Sequence, residues 1–213
     1  MSMSVSYDDA DRWVRAFATT IADNKEYLTD LDSAIGDADH GINMNRGMQA
    51  VVAKIGGLAT NDIGLLFKTV GMTLVSTVGG AGGPLYGTLF LQLGVATGGM
   101  TEIDAKAWLE ALGAAVSGVQ ARGKAEAGDK TMLDALMPAR DALAEAVGEG
   151  VGFAEALRRS MEAGEAGAKA TIPLVARKGR ASYLGDRSAG HQDPGATSSY
   201  LLLKTAAETW SGG

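Results

Sequence analysis

Asn61-Asp62-Ile63-Gly64-Leu65-Leu66-Phe67-Lys68-Thr69-Val70-Gly71-Met72-Thr73-Leu74-Val75-Ser76-Thr77-Val78-Gly79-Gly80-Ala81-Gly82-Gly83-Pro84 decides the fold class of this chain. Ile63, Leu66, Phe67, Val70, Leu74 and Val78 recur at the spacing of one face of an α-helix, not with the alternation of a strand. Asn61 or Asp62 can cap the start, because a short side-chain oxygen there accepts a hydrogen bond from a free N–H of the first turn. Gly79 to Gly83 end the helix, and Pro84 fits the first position of the next one, where its missing N–H costs nothing.

The same period continues on both sides. Upstream, Trp13, Val14, Phe17, Ala18 and Ile21 form an amphipathic stripe, and Tyr27, Leu28 and Leu31 a shorter one. A third helix runs from Ile42 to Ile55 and closes at Gly56-Gly57. Downstream, the helix opened by Pro84 runs to about Thr97. Thr101 with Asp104 predicts the capped start of a sixth helix that carries Ile103, Trp108, Leu112, Val116 and Val119. The polar segment from Arg122 to Lys130 leads to a seventh helix through Met132, Leu133, Leu136 and Leu143, where Pro138 should introduce a kink. Phe153 to Thr171 and Pro194 to about Trp210 make the last two. The expected class is all-α, an antiparallel bundle or helical barrel.

Composition narrows the function. With 213 residues at 46% hydrophobic, the chain can bury one good core, so a single domain over 1–213 is expected. The absence of cysteine excludes disulfides and zinc-thiolate sites. Without an N-terminal apolar stretch of signal-peptide type, the expected compartment is the cytoplasm. No apolar run is long enough to span a bilayer, so no membrane association is expected. A net charge of −6, with no basic stripe interleaved with aromatics, argues against nucleic acid as a partner.

The chemistry concentrates in Asp32-Ser33-Ala34-Ile35-Gly36-Asp37-Ala38-Asp39-His40-Gly41. Clustered aspartate oxygens suit hard divalent cations. At about 100° per residue, a helix would set Asp32 and Asp37 roughly 140° apart, and Asp37 and Asp39 roughly 160° apart, so a loop must gather them. The helix that follows would bring free N–H groups to an anion such as phosphate. Read alone, such a motif is more often a solvated acidic loop. Gly79 to Gly83 could wrap phosphate oxygens. No Gly-Lys-Ser/Thr follows it, so it is not a P-loop, and an ordinary interhelical loop stays open. The long segment Ala176–Thr197 gathers Arg177, Lys178, Arg180, Asp186, Arg187, His191 and Asp193; loops of this length are functional or disordered, and the cap at Asp193-Pro194 favours order. Met44, Met48 and Tyr86 read as core, and on spacing alone Arg46, Arg177 and Lys178 read as solvated.

Four blocks in order carry a family resemblance. They are Gly36-Asp37-Ala38-Asp39-His40-Gly41-Ile42-Asn43-Met44-Asn45-Arg46-Gly47, Gly79-Gly80-Ala81-Gly82-Gly83-Pro84-Leu85-Tyr86-Gly87, Gly123-Lys124-Ala125-Glu126-Ala127-Gly128-Asp129-Lys130-Thr131-Met132, and Ala176-Arg177-Lys178-Gly179-Arg180-Ala181-Ser182-Tyr183-Leu184-Gly185 with His191-Gln192-Asp193-Pro194-Gly195-Ala196-Thr197. Over essentially its whole length the chain resembles the nucleotide-binding L subunits (DhaL) of dihydroxyacetone kinases.

The resemblance implies an antiparallel eight-helix barrel with ADP or ATP at one end. The periodicity gives slightly more than eight segments, and the weak one near Leu28 is the one to merge. Asp32, Asp37 and Asp39 would hold two Mg2+ and, with His40, form the catalytic centre. His40, Gly41, Ile42 and Asn43, with Ala81 and Gly82, would lie against the phosphates. Gly123 and Met132 would flank the adenine, and Arg180 with Asp193-Pro194-Gly195 would complete the pocket. Gly82 stands where the family usually has serine, which removes a hydroxyl and keeps the amide. His40 fits a phosphate donor beside the metal better than a phosphohistidine, and His191 either orients Asp193 or is exposed.

The ketone in such kinases is held by a histidine on a separate fold, and no region here remains for it, so the chain is expected to be half an enzyme. Its form resembles the phosphotransferase-system type, in which bound ADP is a retained coenzyme. A phosphohistidine subunit, M, rephosphorylates that ADP, which then serves a dihydroxyacetone-binding subunit, K. Two alternatives stay open: an L domain of an ATP-dependent triose or tetrose kinase with exchangeable nucleotide, and a nucleotide-sensing regulatory module. The fatty-acid kinase nucleotide domain shares the acidic loop, but has threonine at the place of His40 and lacks the Arg180 and Asp193-Pro194-Gly195 blocks.

Overall fold

A computed structural model describes residues 3–211; positions 1, 2, 212 and 213 of the expected domain lie outside the described residues. The helices are α1 (Tyr7–Asp23), α2 (Lys25–Ile35), α3 (His40–Ile55), α4 (Ile63–Thr77), α5 (Gly82–Ala96), α6 (Ala105–Gly123), α7 (Leu133–Gly148), α8 (Phe153–Ala170) and α9 (Pro194–Trp210), with a 3-10 segment at Arg180–Ser188. Eight of them run 15 to 19 residues. These eight form a closed ring: α1 packs on α3, each later helix packs on its successor, and α9 returns to α1. Among the described residues no helix is long and apolar enough to cross a membrane.

Four features differ from the sequence reading, and the long loop is ordered as its cap favoured. The segment near Leu28 does not merge into α1; it is the separate 11-residue α2, because Asn24 (φ −102°, ψ 11°) breaks the helix between them. Helix α3 begins at His40 rather than Ile42. Helix α5 begins at Gly82, so Pro84 sits two residues inside, still in the first turn whose N–H groups lack helix partners. Ile103 is not helical: Glu102–Ile103 (β2) pairs antiparallel with Val5–Ser6 (β1), and Asp104 itself caps α6 by accepting from the N–H of Ala107 at 2.8 Å. The long loop after α8 is ordered around the 3-10 segment, which Ile35, Ala176 and Ala181 anchor to α2 as a small apolar cluster. Pro138 lies within α7, which continues through it.

Two packing devices set the ring. Helices α4 and α5 approach closely because a Cβ on Gly71 would come within 2.8 Å of the Gly87 carbonyl, a distance only glycine tolerates. At one end, Trp13 meets Phe67, Trp108 and Trp210 edge-on, with centroids 5.6, 5.5 and 4.9 Å away. Such pairs add about 0.5–1.5 kcal/mol each beyond area burial. The polar edges are satisfied too, since the indole N–H of Trp13 donates to Leu202 O at 3.2 Å and that of Trp210 to Asp9 O at 3.1 Å. Trp13, Phe67, Trp108 and Phe153 lie near the starts of α1, α4, α6 and α8, and Trp210 at the end of α9. The other end of the ring therefore gathers the N-termini of α3, α5, α7 and α9.

Candidate functional site

Asp32 occupies the last turn of α2, and the chain leaves the helix at Gly36, whose N–H donates to Asp32 O at 2.6 Å. Any Cβ on Gly36 would lie 2.0 Å from Asp32 Oδ1, so a side chain there would push the Asp32 carboxylate from its place. Ala38 takes the left-handed region at φ +59°, unusual for a residue with a Cβ, and this reversal brings Asp37 and Asp39 back beside Asp32. Asp32 Oδ2 accepts from the N–H groups of Asp39 (2.8 Å) and His40 (3.1 Å), which fixes the start of α3.

One oxygen from each of Asp32, Asp37 and Asp39 lies within 4.8 Å of the others. Three carboxylates that close repel one another. Among the described residues the one cation paired with them is Arg180, whose Nε is 3.0 Å from Asp37 Oδ2. An all-oxygen donor set with unbalanced negative charge fits a hard divalent ion such as Mg2+.

The turn borders a cavity of about 340 Å³. Its walls include Asp32, Asp37, Asp39, His40 and Asn43; Gly79 to Gly82 with Pro84 to Tyr86; Arg122, Gly123 and Lys130 to Leu133; and Lys178 to Ala181 with Asp193 to Gly195. Four helix N-termini thus face one space, a charge arrangement suited to an anion. Of the residues singled out from sequence, Gly41 and Ile42 do not border the cavity. Gly41 is pressed against α2, where a Cβ would meet Lys25 O at 2.0 Å, and Ile42 is half exposed on the outer face of α3. Ala81, Gly82, Gly123, Met132, Arg180, Asp193, Pro194 and Gly195 all border it, with His40 and Asn43. At Gly82 a Cβ would lie 3.3 Å from a Val78 methyl, so a serine would need only a slight shift there.

Several roles emerge only in three dimensions. His40 Nε2 is 2.9 Å from Ser198 Oγ, which also receives the hydroxyl proton of the buried Tyr86 at 2.7 Å. Burial lowers the His40 pKa, while Asp32 and Asp39 pull it upward. Burial likewise pushes the Tyr86 phenol up to about 12. Arg46 is not simply solvated: its guanidinium donates to Asn43 Oδ1 (2.8 Å) and Thr77 O (3.1 Å), orienting the Asn43 amide. Lys178 lines the cavity rather than only facing solvent.

Asp193 caps α9 by accepting from the Ala196 N–H at 2.7 Å, and burial pushes its carboxyl up to about 7. Its own N–H donates to Thr171 Oγ1 at 2.9 Å; His191 is exposed and makes no side-chain bond to it. Sequence reasoning missed Ser198, Lys130 and Asp134, which accepts from the N–H groups of Gly128 and Thr131 at 2.5 and 2.7 Å. The only signal for them was their place in or next to a quoted block.

Comparison with known proteins agrees with this geometry. The DAK2 domain matches residues 34–208. The chain is 44% identical over 205 residues to the PEP-dependent dihydroxyacetone kinase ADP-binding subunit DhaL of Escherichia coli K12, covering 96% of this chain and 98% of that one. It is 44% identical over 207 residues to the corresponding subunit of kinase 1 of Listeria innocua, covering 97% and 98%. The crystal structure of the dihydroxyacetone kinase from C. freundii in complex with AMP-PNP and Mg2+ superposes on 93% of this chain with TM-score 0.71 and 27% identity, this chain spanning 33% of that one. By fold, site geometry and sequence, the chain belongs to the DAK2 domain family and to the DhaL-type subunits within it.

Proposed function

We propose that this chain is the ADP/ATP-binding subunit of a PEP-dependent dihydroxyacetone kinase, a cytoplasmic protein of one domain over 1–213. It would act with a ketone-binding K subunit and a phosphohistidine M subunit, a reading supported by the names of its DhaL relatives. The observation that carries it is the convergence of Asp32, Asp37 and Asp39 at a cavity ringed by four helix N-termini.

Asp32, Asp37 and Asp39 would hold two Mg2+, which supply neutralisation of the charge that develops on a transferring phosphoryl group. The chain's own groups do the rest. The amides at Ala81 and Gly82 orient phosphate oxygens, with the Asn43 side chain and with His40, which Ser198 holds for the same task. Arg180 balances Asp37 and adds a positive charge at the phosphate end. Gly123, Met132 and the Asp193-Pro194-Gly195 turn enclose the base. No side chain needs to become phosphorylated, so the chain serves as a cradle that lets one bound nucleotide alternate between donor and acceptor.

Mass spectrometry of ligand released from purified protein tests the coenzyme role: near-stoichiometric ADP surviving dialysis is expected. With K, M, the phosphotransferase components and phosphoenolpyruvate added, dihydroxyacetone phosphate should accumulate. Free exchange of ADP and turnover with ATP alone would favour the ATP-dependent kinase, a reading supported by the likeness to one third of a longer kinase chain. No product with any phosphoryl donor would favour a regulatory module.

A further inference from the structure

Lys130 is buried, with 1% of its surface exposed, yet among the described residues its ammonium pairs with no carboxylate. Its Nζ donates instead to three main-chain carbonyls, those of Thr171 (2.8 Å), Leu174 (3.1 Å) and His191 (2.5 Å), with Ile172 O at 3.5 Å. An ammonium has three N–H donors and no acceptor, so three carbonyls satisfy it. The Thr171 and Ile172 carbonyls follow the end of α8, where helix carbonyls lack partners and a cation is favoured. The backbone bends to allow this: Lys130 takes φ +63°, a strained conformation for a residue with a Cβ. Burial pulls its pKa down, and the charges of Asp193 and Asp134 pull it back up.

The chain segments so joined are distant in sequence and adjacent at the cavity. On one side of Lys130, Asp129 O accepts from Arg177 N at 3.1 Å; on the other, Thr131, Met132 and Leu133 line the cavity. The Thr171–Leu174 turn leads into the segment that carries Arg180, and His191 leads to Asp193. Gly190 N closes that segment by donating to Ile172 O at 2.7 Å. The Thr171 hydroxyl also ties the two ends, accepting from Asp193 N at 2.9 Å; Lys130 adds a charge and reaches carbonyls at both.

We propose that Lys130 is a positioning residue: its ammonium serves as an internal cation that gathers the carbonyls of Thr171, Leu174 and His191, so that Met132, Arg180 and Asp193 form one wall. What that wall binds rests on the nucleotide reading above; how the wall is assembled does not.

The test uses the full chain in two forms of substitution. Lys130→Met keeps the length and removes the charge. It should retain the helical circular-dichroism signal and lose ADP affinity, measured calorimetrically with Mg2+, by about tenfold or more, the low end of what removing a group that orients metal ligands costs. Amide exchange across residues 171–193, recorded without nucleotide, should accelerate while that of α4 and α5 stays unchanged.

Because the chain has no cysteine, Lys130→Cys can be alkylated uniquely while unfolded and then refolded. Aminoethylation, which rebuilds a lysine-like ammonium, should restore both slow exchange and ADP affinity to within about threefold, and carbamidomethylation should restore neither. Equal behaviour of the two adducts, whether both bind or neither refolds, overturns the proposal, as does Lys130→Met with ADP affinity within twofold of wild type and unaltered exchange. Wild-type protein that fails to bind ADP sinks the nucleotide reading alone, because exchange over 171–193 still reports on Lys130.

Discussion

The two ends of the barrel are built by different physics. At the closed end, Trp13, Phe67, Trp108 and Trp210 interlock by ring-edge contacts and bury almost all their surface. At the open end, polar side chains bond to main chain: Asp32 to two amides, Asp193 to one, Lys130 to carbonyls. The first arrangement resists unfolding; the second fixes positions within a cavity. Stability and binding should therefore separate under mutation. Trp13→Ala should cost about 3–5 kcal/mol in a urea melt, the range for a buried aromatic truncated to a cavity. The protein that remains folded should bind ADP within about threefold of wild type, since the ring's partners Phe67, Phe90, Trp108 and Trp210 do not border the cavity. A loss of affinity as large as the loss of stability would show the two ends to be coupled.

The converse experiment is Asp37→Asn. Outer groups that merely orient a metal ligand cost about 10–100-fold when removed, so removing a ligand itself should cost at least ~100-fold in ADP retention. Asp37 is more exposed than Asp32 and accepts no amide of the turn, so melting should change little. Retention unchanged by Asp37→Asn would put the metal elsewhere.

Asp193 belongs to both worlds, because it lines the cavity and caps a core helix. Burial is the main cause of its high pKa, about 7, opposed by the Ala196 amide and Lys130 and reinforced by Asp134 and Asp32. An unfolded aspartate titrates near 3.9. Between those values the folded chain holds a proton that the unfolded chain releases. Its contribution to stability is thus complete below about pH 4 and is lost as pH rises through about 7. Asparagine keeps the cap and buries no charge. The stability of Asp193→Asn relative to wild type should therefore rise by on the order of 2 kcal/mol between pH 5 and pH 8, measured without metal or nucleotide. A difference that stays flat with pH would show that Asp193 carries no buried charge.

This division also explains what could be read from the chain. Trp13, Phe67, Leu74, Trp108 and Leu136 obey the helical period, because apolar burial repeats with the helix, and the ring of helices follows from them. Helix ends were legible wherever a cap obeyed local rules, as at Asp62 and Asp193. Ile103 misled because an apolar residue before a capping aspartate fits the stripe of α6 as well as it fits strand β2. The acidic turn was visible as a cluster, and the family resemblance named residues around it. Lys130, Ser198 and Arg46 were opaque, since each has a partner far along the chain: the His191 carbonyl 61 residues from Lys130, the His40 ring 158 residues from Ser198, and the Thr77 carbonyl 31 residues from Arg46. Nothing in periodicity encodes such bonds.

Smaller effects sharpen the boundary between the two ends. Tyr86 is wholly inside the core but ends in a hydroxyl that donates to Ser198, which in turn touches His40. Tyr86→Phe removes one buried hydrogen bond and should cost about 1 kcal/mol. It should also weaken ADP binding a few-fold, because His40 loses part of what orients its ring. Loss of stability alone would make the phenol a core group and no more.

Ala38 gives the smallest and most pointed test. A side chain in the left-handed region costs roughly 1–2 kcal/mol, which glycine avoids. Glycine also loses more freedom on folding, worth about 0.4–1 kcal/mol, so the two nearly cancel and Ala38→Gly should gain about 0.5 kcal/mol. For a chain of this size that is a rise in melting temperature of roughly 1–2 °C. Ala38 lies between two of the carboxylates, and a turn that is free to relax holds them less well. ADP affinity should therefore fall two- to fivefold as stability rises. The two changes in opposite directions from one methyl group would mean that strain at the open end maintains the site, whereas a parallel rise in both would mean that the turn gathers its aspartates without it.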